Sequence, residues 1–257
     1  MKKFPHPHTS SYDKRFQRRQ LKRELEVYQR LPTPHNRLIR AFSFLDDDND
    51  GGGGGDDDED RGLVLEYMPN GSLSAFLESD TKISAAQQLQ WCVETAEAVA
   101  LLHSYGIIHA DIRPENRLLD ETLGLRIIDL SGSSIDGKPP LPLESTRFYL
   151  PRSRRDEMPC SVITDLFALG SSIYQIMARR QPYEDLNDGE VETRYSRKDF
   201  PSIRGIPYGN IIGRCWMGEF DSAQYVLDTL LVAKQQYMEK EEFSISISSV
   251  DGVPYLT

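Results

Sequence analysis

Two short apolar runs enclose the stretch IIHADIRPENRLLD, residues 107–120, and between them stand Asp111, an Arg-Pro pair and Asn116. Ile107 and Ile108 predict a short buried strand, Pro114 interrupts the chain, and Leu118 and Leu119 return it to a core. A loop anchored by apolar residues at both ends holds its polar groups at fixed positions. Downstream, LRIIDLSGS (125–133) places Asp129 at the end of another apolar strand, just before small residues that permit a sharp turn. Two carboxylates and an amide held in this way are hard oxygen donors, the ligands that Mg²⁺ takes together with substrate phosphates. The chemistry they predict is phosphoryl transfer; the competing reading of Asp111 and Asn116 by themselves is a turn-capping pair.

The formal charge of −10 is local in origin. Nine acids and no base lie in DDDNDGGGGGDDDED, residues 46–60, and removing them leaves a body of charge −1. Such a body lacks the concentrated basic face that nucleic acid or an anionic membrane demands, so neither is expected as a partner. Within the acidic run, Asp46, Asp48, Asp50 and Gly51 fall at the offsets of a calcium loop, with Asp57 where a glutamate is usual. Five consecutive glycines and the absence of flanking amphipathic helices favour a self-repelling insert instead. Cys92, Cys160 and Cys215 are odd in number and far apart, without zinc or disulfide spacing, and MKKFPHPHTS does not read as a signal peptide. A cytoplasmic or nuclear location is expected.

Leu21, Leu25, Tyr28 and Leu31 recur at helical spacing before Pro32, and Glu24 falls inside their apolar arc while Glu26 lies on the far side. RLIRAFSFL and RGLVLEYM read as two strands bracketing the acidic insert. A long helix is expected over 83–106, with Ser84 and Gln87 as a capping box and Gly106 as its stop. VITDLFALGSSIYQIMARRQP is apolar on nearly all sides and suits a helix at a domain centre. Residues 210–238 read as helical, and the tail FSISISSVDGVPYLT alternates like a strand with no evident partner. Strands come first and helices follow, which predicts an α+β chain with a small sheet-bearing lobe over 1–68, a helical lobe over 69–240 and a tail over 241–257.

His109, Asp111 and Asn116 match the H-R-D-L-x-x-x-N catalytic loop of protein kinases, and Asp129 matches the metal-binding aspartate of D-F-G. The chain therefore resembles a eukaryotic-type protein kinase, divergent and similar to kinase-like proteins of fungi. TDLFALGSSIYQIM resembles the central helix of the family's large lobe, with Asp165 bracing the catalytic loop; RCWMGEFDSAQ resembles a late Cys-Trp segment. LVLEYMPNGSL resembles the adenine-binding hinge, with Leu65 as gatekeeper and the backbones of Glu66 and Met68 facing the base. The resemblance covers about residues 1–232 and implies a two-lobed kinase fold using ATP and Mg²⁺. It gives Asp111 the substrate hydroxyl proton, Arg113 the transferring phosphate, and Asn116 with Asp129 the metal. It implies a lysine upstream that pairs with a helix glutamate. Lys3 fits that role, Lys2 less well, and Glu24 would be its partner. His109 is expected to pack behind the loop.

Several positions depart from the family pattern. The chain begins at the expected lysine, so two strands and a Gly-rich loop over the phosphates would be absent, which implies either a piece of a longer kinase or a noncatalytic role. Ala110 replaces the arginine that gathers a phosphorylated activation segment in many kinases, so no phosphorylation switch at Ser131, Ser133, Ser134, Ser145 or Thr146 is expected. Arg113 replaces a lysine, and Arg152 in YLPR replaces the glutamate of Ala-Pro-Glu, with Ala223 at its usual arginine partner. The leading expectation is a serine/threonine protein kinase. A pseudokinase that docks partners and a small-molecule phosphotransferase are the alternatives. The substrate protein and the oligomeric state stay open.

Overall fold

The computed structural model describes residues 2–3, 11–45, 62–141, 144–152 and 160–250, with side chains described over 15–42, 63–141, 144–152 and 160–240. In the smaller lobe, helix α1 (Ser11–Arg30) lies against a three-stranded antiparallel sheet of order β1-β3-β2. Its strands are β1 (Lys2–Lys3), β2 (Ala41–Leu45) and β3 (Gly62–Leu65), with Lys2 opposite Leu63 and Lys3 opposite Gly62. The apolar arc of α1 is inward as its spacing predicts: Leu21, Val27, Tyr28 and Leu31 are buried, and so is Glu24 at 0 % exposure. The acidic insert 46–60, including its calcium-like offsets, lies outside the described residues.

The larger lobe is mainly helical. Helix α2 (Leu73–Glu78) and helix α3 (Ala85–Ser104) each open on a serine whose hydroxyl accepts a backbone N–H, Ser72 from Ala75 and Ser84 from Gln87. Such caps satisfy donors that the first helical turn leaves unpaired. Gly106, at φ 69°, lets the chain leave α3 in the left-handed conformation that favours glycine. Short antiparallel pairs follow: β4 (Ile107–Ile108) with β7 (Ser134–Ile135), and β5 (Arg117–Leu119) with β6 (Leu125–Ile127). Helices α4 (Val162–Ala178), α5 (Asp188–Ser196), α6 (Gly209–Met217) and α7 (Ala223–Val250) complete the lobe. Every residue of α4 from Thr164 to Ile176 is buried, in keeping with its apolar sequence. The fold is an α+β, two-lobed, kinase-like arrangement.

The alternating tail departs from its strand-like reading. Backbone to Val250 continues α7. A helix already running from Ala223 gains one hydrogen bond per added residue, whereas a strand needs a neighbour to pair with.

The apolar interior forms two clusters. One is built on α3, α4, α6 and α7; the other joins α1 and β3 to Ala98 and Leu102 of α3 and to Ile107, Ile127, Leu130 and Ile135. The second cluster thus spans the junction beside the loop 109–116. A polar bolt reinforces it: Arg37 reaches Glu94 at 3.1 Å and Glu97 at 2.8 Å on α3, and donates to the Leu125 carbonyl at 3.0 Å.

Gly170 is where α4 and α6 meet most closely; a Cβ there would lie 2.6 Å from Cys215 Cβ and 3.3 Å from the Ile212 carbonyl. Gly170→Ala should force the helices apart and lower unfolding stability by about 1–3 kcal/mol, read from the denaturant midpoint; an unchanged midpoint would show that α6 yields freely.

Candidate active site

The loop after β4 is held from below by a single carboxylate. Asp165, in the first turn of α4, accepts the backbone N–H of His109 at 2.8 Å and of Ala110 at 3.0 Å, and its Oδ2 lies 2.9 Å from His103 Nε2. Ala110 takes φ 66°, a conformation that costs a side-chain-bearing residue about 1–2 kcal/mol. Bonds from two amides to one charged acceptor offset that strain. His109 is fully buried, and its Nδ1 accepts the Asp111 N–H at 3.2 Å. Burial, followed by the nearby Arg117 charge, holds its pKa below the ordinary value, so the ring is a neutral packing element.

Above this base, Asp111, Arg113 and Asn116 converge. The Asn116 amide nitrogen donates to the Asp111 carbonyl at 2.9 Å and to its Oδ2 at 2.8 Å, and Arg113 Nε lies 3.2 Å from the same Oδ2. Asp111 Oδ1 has no hydrogen-bond partner. Because the Asn116 nitrogen faces Asp111, its amide oxygen faces away. Arg113 also donates to Ser145 Oγ at 2.9 Å, which ties the loop to the segment 144–152. That segment borders a cleft of about 430 Å³ that also reaches Glu115, Gln181 and Glu192.

Asp129 enters from β6. The Ile128 N–H donates to the Asn116 carbonyl at 3.1 Å, so Asp129 follows a residue bonded to the metal-candidate asparagine. Asp129 adopts φ 58°, ψ 61°, and its Oδ1 accepts from Ser131 at 2.8 Å. Glu24 is buried on α1, and on the same helix burial pushes the Tyr28 phenol well above its usual range, with the charges of Glu24 and Asp129 pushing it further. The Lys3 side chain, and with it the expected Lys3–Glu24 pair, lies outside the described residues. At the hinge, Met68 is buried and Leu65 half-buried; the Glu66 N–H donates to the Arg40 carbonyl at 2.8 Å, and the Met68 carbonyl accepts from Gly71 at 3.3 Å. Leu118, expected with Leu119 to return the chain to a core, is half-buried and bridges to Ser72 just after the hinge.

Two further features escaped the sequence reading. Helix α1 is fastened to the segment after Asp129 by Arg23 to the Ser133 and Pro139 carbonyls, Arg30 to Asp136, and Glu26 to Lys138. Ser131, Ser133 and Ser134 are buried in that segment, which denies their hydroxyls to a modifying enzyme in this conformation. Arg152 is the second. The family's glutamate–arginine pair is expected to be lost at both ends, at Arg152 and Ala223; Arg152 pairs instead with Glu144, both nearly buried, and its guanidinium sits 4.6 Å from the Tyr149 ring centre. The two charges are eight residues apart in irregular chain, a spacing that no periodic pattern marks.

Two outcomes follow. Asp136, beside Arg30, and Glu26, beside Lys138, are held below their ordinary values of 3.8 and 4.5. Their contribution is therefore present above those values and lost as pH falls through the lowered ones. Amide exchange over 131–139 should accelerate below about pH 4, and Arg30→Gln should abolish most of that pH dependence. Glu144→Ala strands a buried guanidinium and should cost about 3 kcal/mol of stability, while adding Arg152→Met should recover much of it. Additive losses in the double variant would refute the pairing.

A model of the protein kinase domain matches residues 1–219. The chain is 28 % identical to Aurora kinase C of Mus musculus over 194 residues, 74 % of this chain and 65 % of that protein. It is also 28 % identical to Aurora kinase A-A of Xenopus laevis over 182 residues, 70 % of this chain and 42 % of the relative. The chain thus spans less than two thirds of either relative. Asp165 under the loop, Asp111 and Asn116 joined above it, and a family match over most of the length lead to one assignment: this chain belongs to the eukaryotic-type protein kinase family.

Proposed function

We propose that the chain transfers the γ-phosphoryl group of ATP to a serine or threonine hydroxyl of a protein substrate. The observation that carries this reading is the state of Asp111: one carboxylate oxygen is taken by Asn116 and Arg113, and the other, Oδ1, is buried with no hydrogen-bond partner among the described residues, so that a small opening of the loop would offer it to an acceptor hydroxyl. A held carboxylate with one oxygen to spare is suited to accept or orient the proton of an acceptor hydroxyl. Arg113, already reaching Ser145, would meet the transferring phosphate on the side where the cleft admits an acceptor segment.

The donor set fits Mg²⁺. The outward amide oxygen of Asn116, just before β5, and the Asp129 carboxylate, just beyond β6, are hard ligands. Asn116 and Asp129 would hold the ion, which would supply positive charge against the phosphates of the nucleotide. The Glu66 and Met68 backbones would meet the adenine, Leu65 would bound its pocket, and Lys3 with Glu24 would anchor the α and β phosphates. Family membership and the kinase names of the relatives support the reading. Among the described residues no helix is long and apolar enough to cross a membrane, in keeping with a protein partner in the cytoplasm or nucleus.

Asp129→Ala should remove Mg²⁺-dependent ATP binding in a calorimetric titration. Asp111→Asn should keep that binding and lower peptide phosphorylation by about 10²–10⁴-fold. Undiminished turnover in Asp111→Asn would overturn the assignment of the proton acceptor. Transfer to aminoglycosides but not to peptides would replace the substrate class. Absence of nucleotide binding in the unaltered chain would leave a docking role.

A further inference from the structure

Arg117 occupies a position that chain geometry reserves for an apolar side chain. It opens β5 opposite Ile127, and with Leu119 it forms the inward face of that strand, both residues buried. At 1 % exposure it is among the largest fully buried side chains of the protein. A buried guanidinium costs several kcal/mol in desolvation unless charge and hydrogen bonds compensate. Here compensation is partial: Nη1 donates to the Asn116 carbonyl at 3.0 Å, while Nε and Nη2 have no partner. The carboxylates whose charge acts on it are Asp165 and Asp111. Among the described residues its one hydrogen bond thus goes to the residue whose side chain joins Asp111 and faces the candidate metal site. The same carbonyl accepts from Ile128, the residue before Asp129.

Resting on the kinase reading, we propose that Arg117 is a positioning residue for phosphoryl transfer. From the buried underside of the loop, its guanidinium holds the Asn116 carbonyl between β5 and β6 and thereby sets where the Asn116 amide and the Asp111 carboxylate stand. Arg113 cannot do this. Its guanidinium lies on the upper side, engaged with Asp111 and Ser145, and its link to the Asn116 backbone is through its own carbonyl, which accepts the Asn116 N–H at 3.0 Å and leaves the Asn116 carbonyl to Arg117 and Ile128. Arg117 is also the one cation of the loop that is fully buried, so its attraction to Asp165 and Asp111 is little screened by salt. A methionine at 117 would fill similar volume and remove the desolvation cost. A core that needed only packing would accept it; a loop that needs its asparagine held would not.

The test compares the full chain with Arg117→Met and Arg117→Lys. In the unliganded proteins, exchange of the Ile128 N–H reports the shared Asn116 carbonyl without any nucleotide. It should quicken by about tenfold or more in Arg117→Met, with the thermal midpoint unchanged or raised. The Mg²⁺ concentration for half-maximal ATP binding should rise several-fold, and kcat should fall by about tenfold to a hundredfold with the acceptor-peptide KM unchanged. Arg117→Lys, which keeps a cation able to reach the carbonyl, should recover most of the loss. Should Arg117→Met not fold, Arg117→Lys decides alone: its Ile128 exchange and Mg²⁺ requirement must stay closer to the unaltered chain than its fall in stability would give. Folded Arg117→Met with unaltered exchange, Mg²⁺ requirement and kcat would overturn the proposal, as would losses that only track the unfolded fraction. Failure of the unaltered chain to bind Mg²⁺-ATP would instead strike the kinase reading, and the Ile128 measurement would still judge Arg117.

Discussion

The backbone amides of His109 and Ala110 both point at Asp165, and the geometry of the loop beyond them depends on those two hydrogen bonds. The acceptor is well placed for the task. Asp165 stands in the first turn of α4, where the helix dipole favours a negative charge, on a helix enclosed by core residues. It can therefore hold Ala110 in the left-handed region, and that bend turns the chain so that Asp111 faces upward while Ile112 is buried. Ser172, two turns along α4, secures the same loop by donating to the Ile112 carbonyl at 3.2 Å. The rigid helix, and not the loop's own composition, makes the site a fixed arrangement.

Around this anchor, charges of three degrees of burial do different work. The contacts of Arg30 with Asp136 and of Glu26 with Lys138 are exposed; they steer α1 onto the segment after Asp129 and weaken with salt. Glu144 and Arg152 are nearly buried and hold the segment 144–152 from within. This pair is the physical counterpart of Ala110. Where an arginine at 110 would recruit a phosphate, the chain instead carries a carboxylate and a guanidinium that find each other unmodified. Arg117 is fully buried, and the loop shapes itself around it.

The fold was largely legible in the sequence because apolar periodicity is a local property. The arc Leu21–Leu25–Tyr28–Leu31 foretold α1 and the inward turn of Glu24; the unbroken apolarity of 162–178 foretold a central helix. Where periodicity misled, at 243–250, the pattern of a strand could not outweigh a helix already propagating without a strand partner. At the site, residue spacing put Asp111 and Asn116 together, and the structure joins them by hydrogen bonds, since an Asp-to-Asn interval within one anchored loop is itself short-range information. Asp165 was legible only through its likeness to a known pattern. Glu144 with Arg152 was not legible because no periodic pattern marks their spacing, and Arg23 and Arg30 with their carbonyls and carboxylate were not because those partners lie over a hundred residues away. The arginine in RLL did carry a sign, a charge at an inward strand position, that the sequence reading passed over.

By itself, then, the amino-acid order determined which residues are helical, which side chains face inward and which polar groups share the loop 109–116, since each follows from backbone geometry over a few residues. Only the tertiary structure decided which charge meets which. The pairings of Asp165 with two amides and of Arg30 with Asp136 arise when segments distant in sequence are brought together, while Arg152 with Glu144 and Arg117 with the Asn116 carbonyl are near in sequence and are buried only by the packed fold. The strength of each contact is set by the water excluded around it, a quantity that no short stretch of sequence contains.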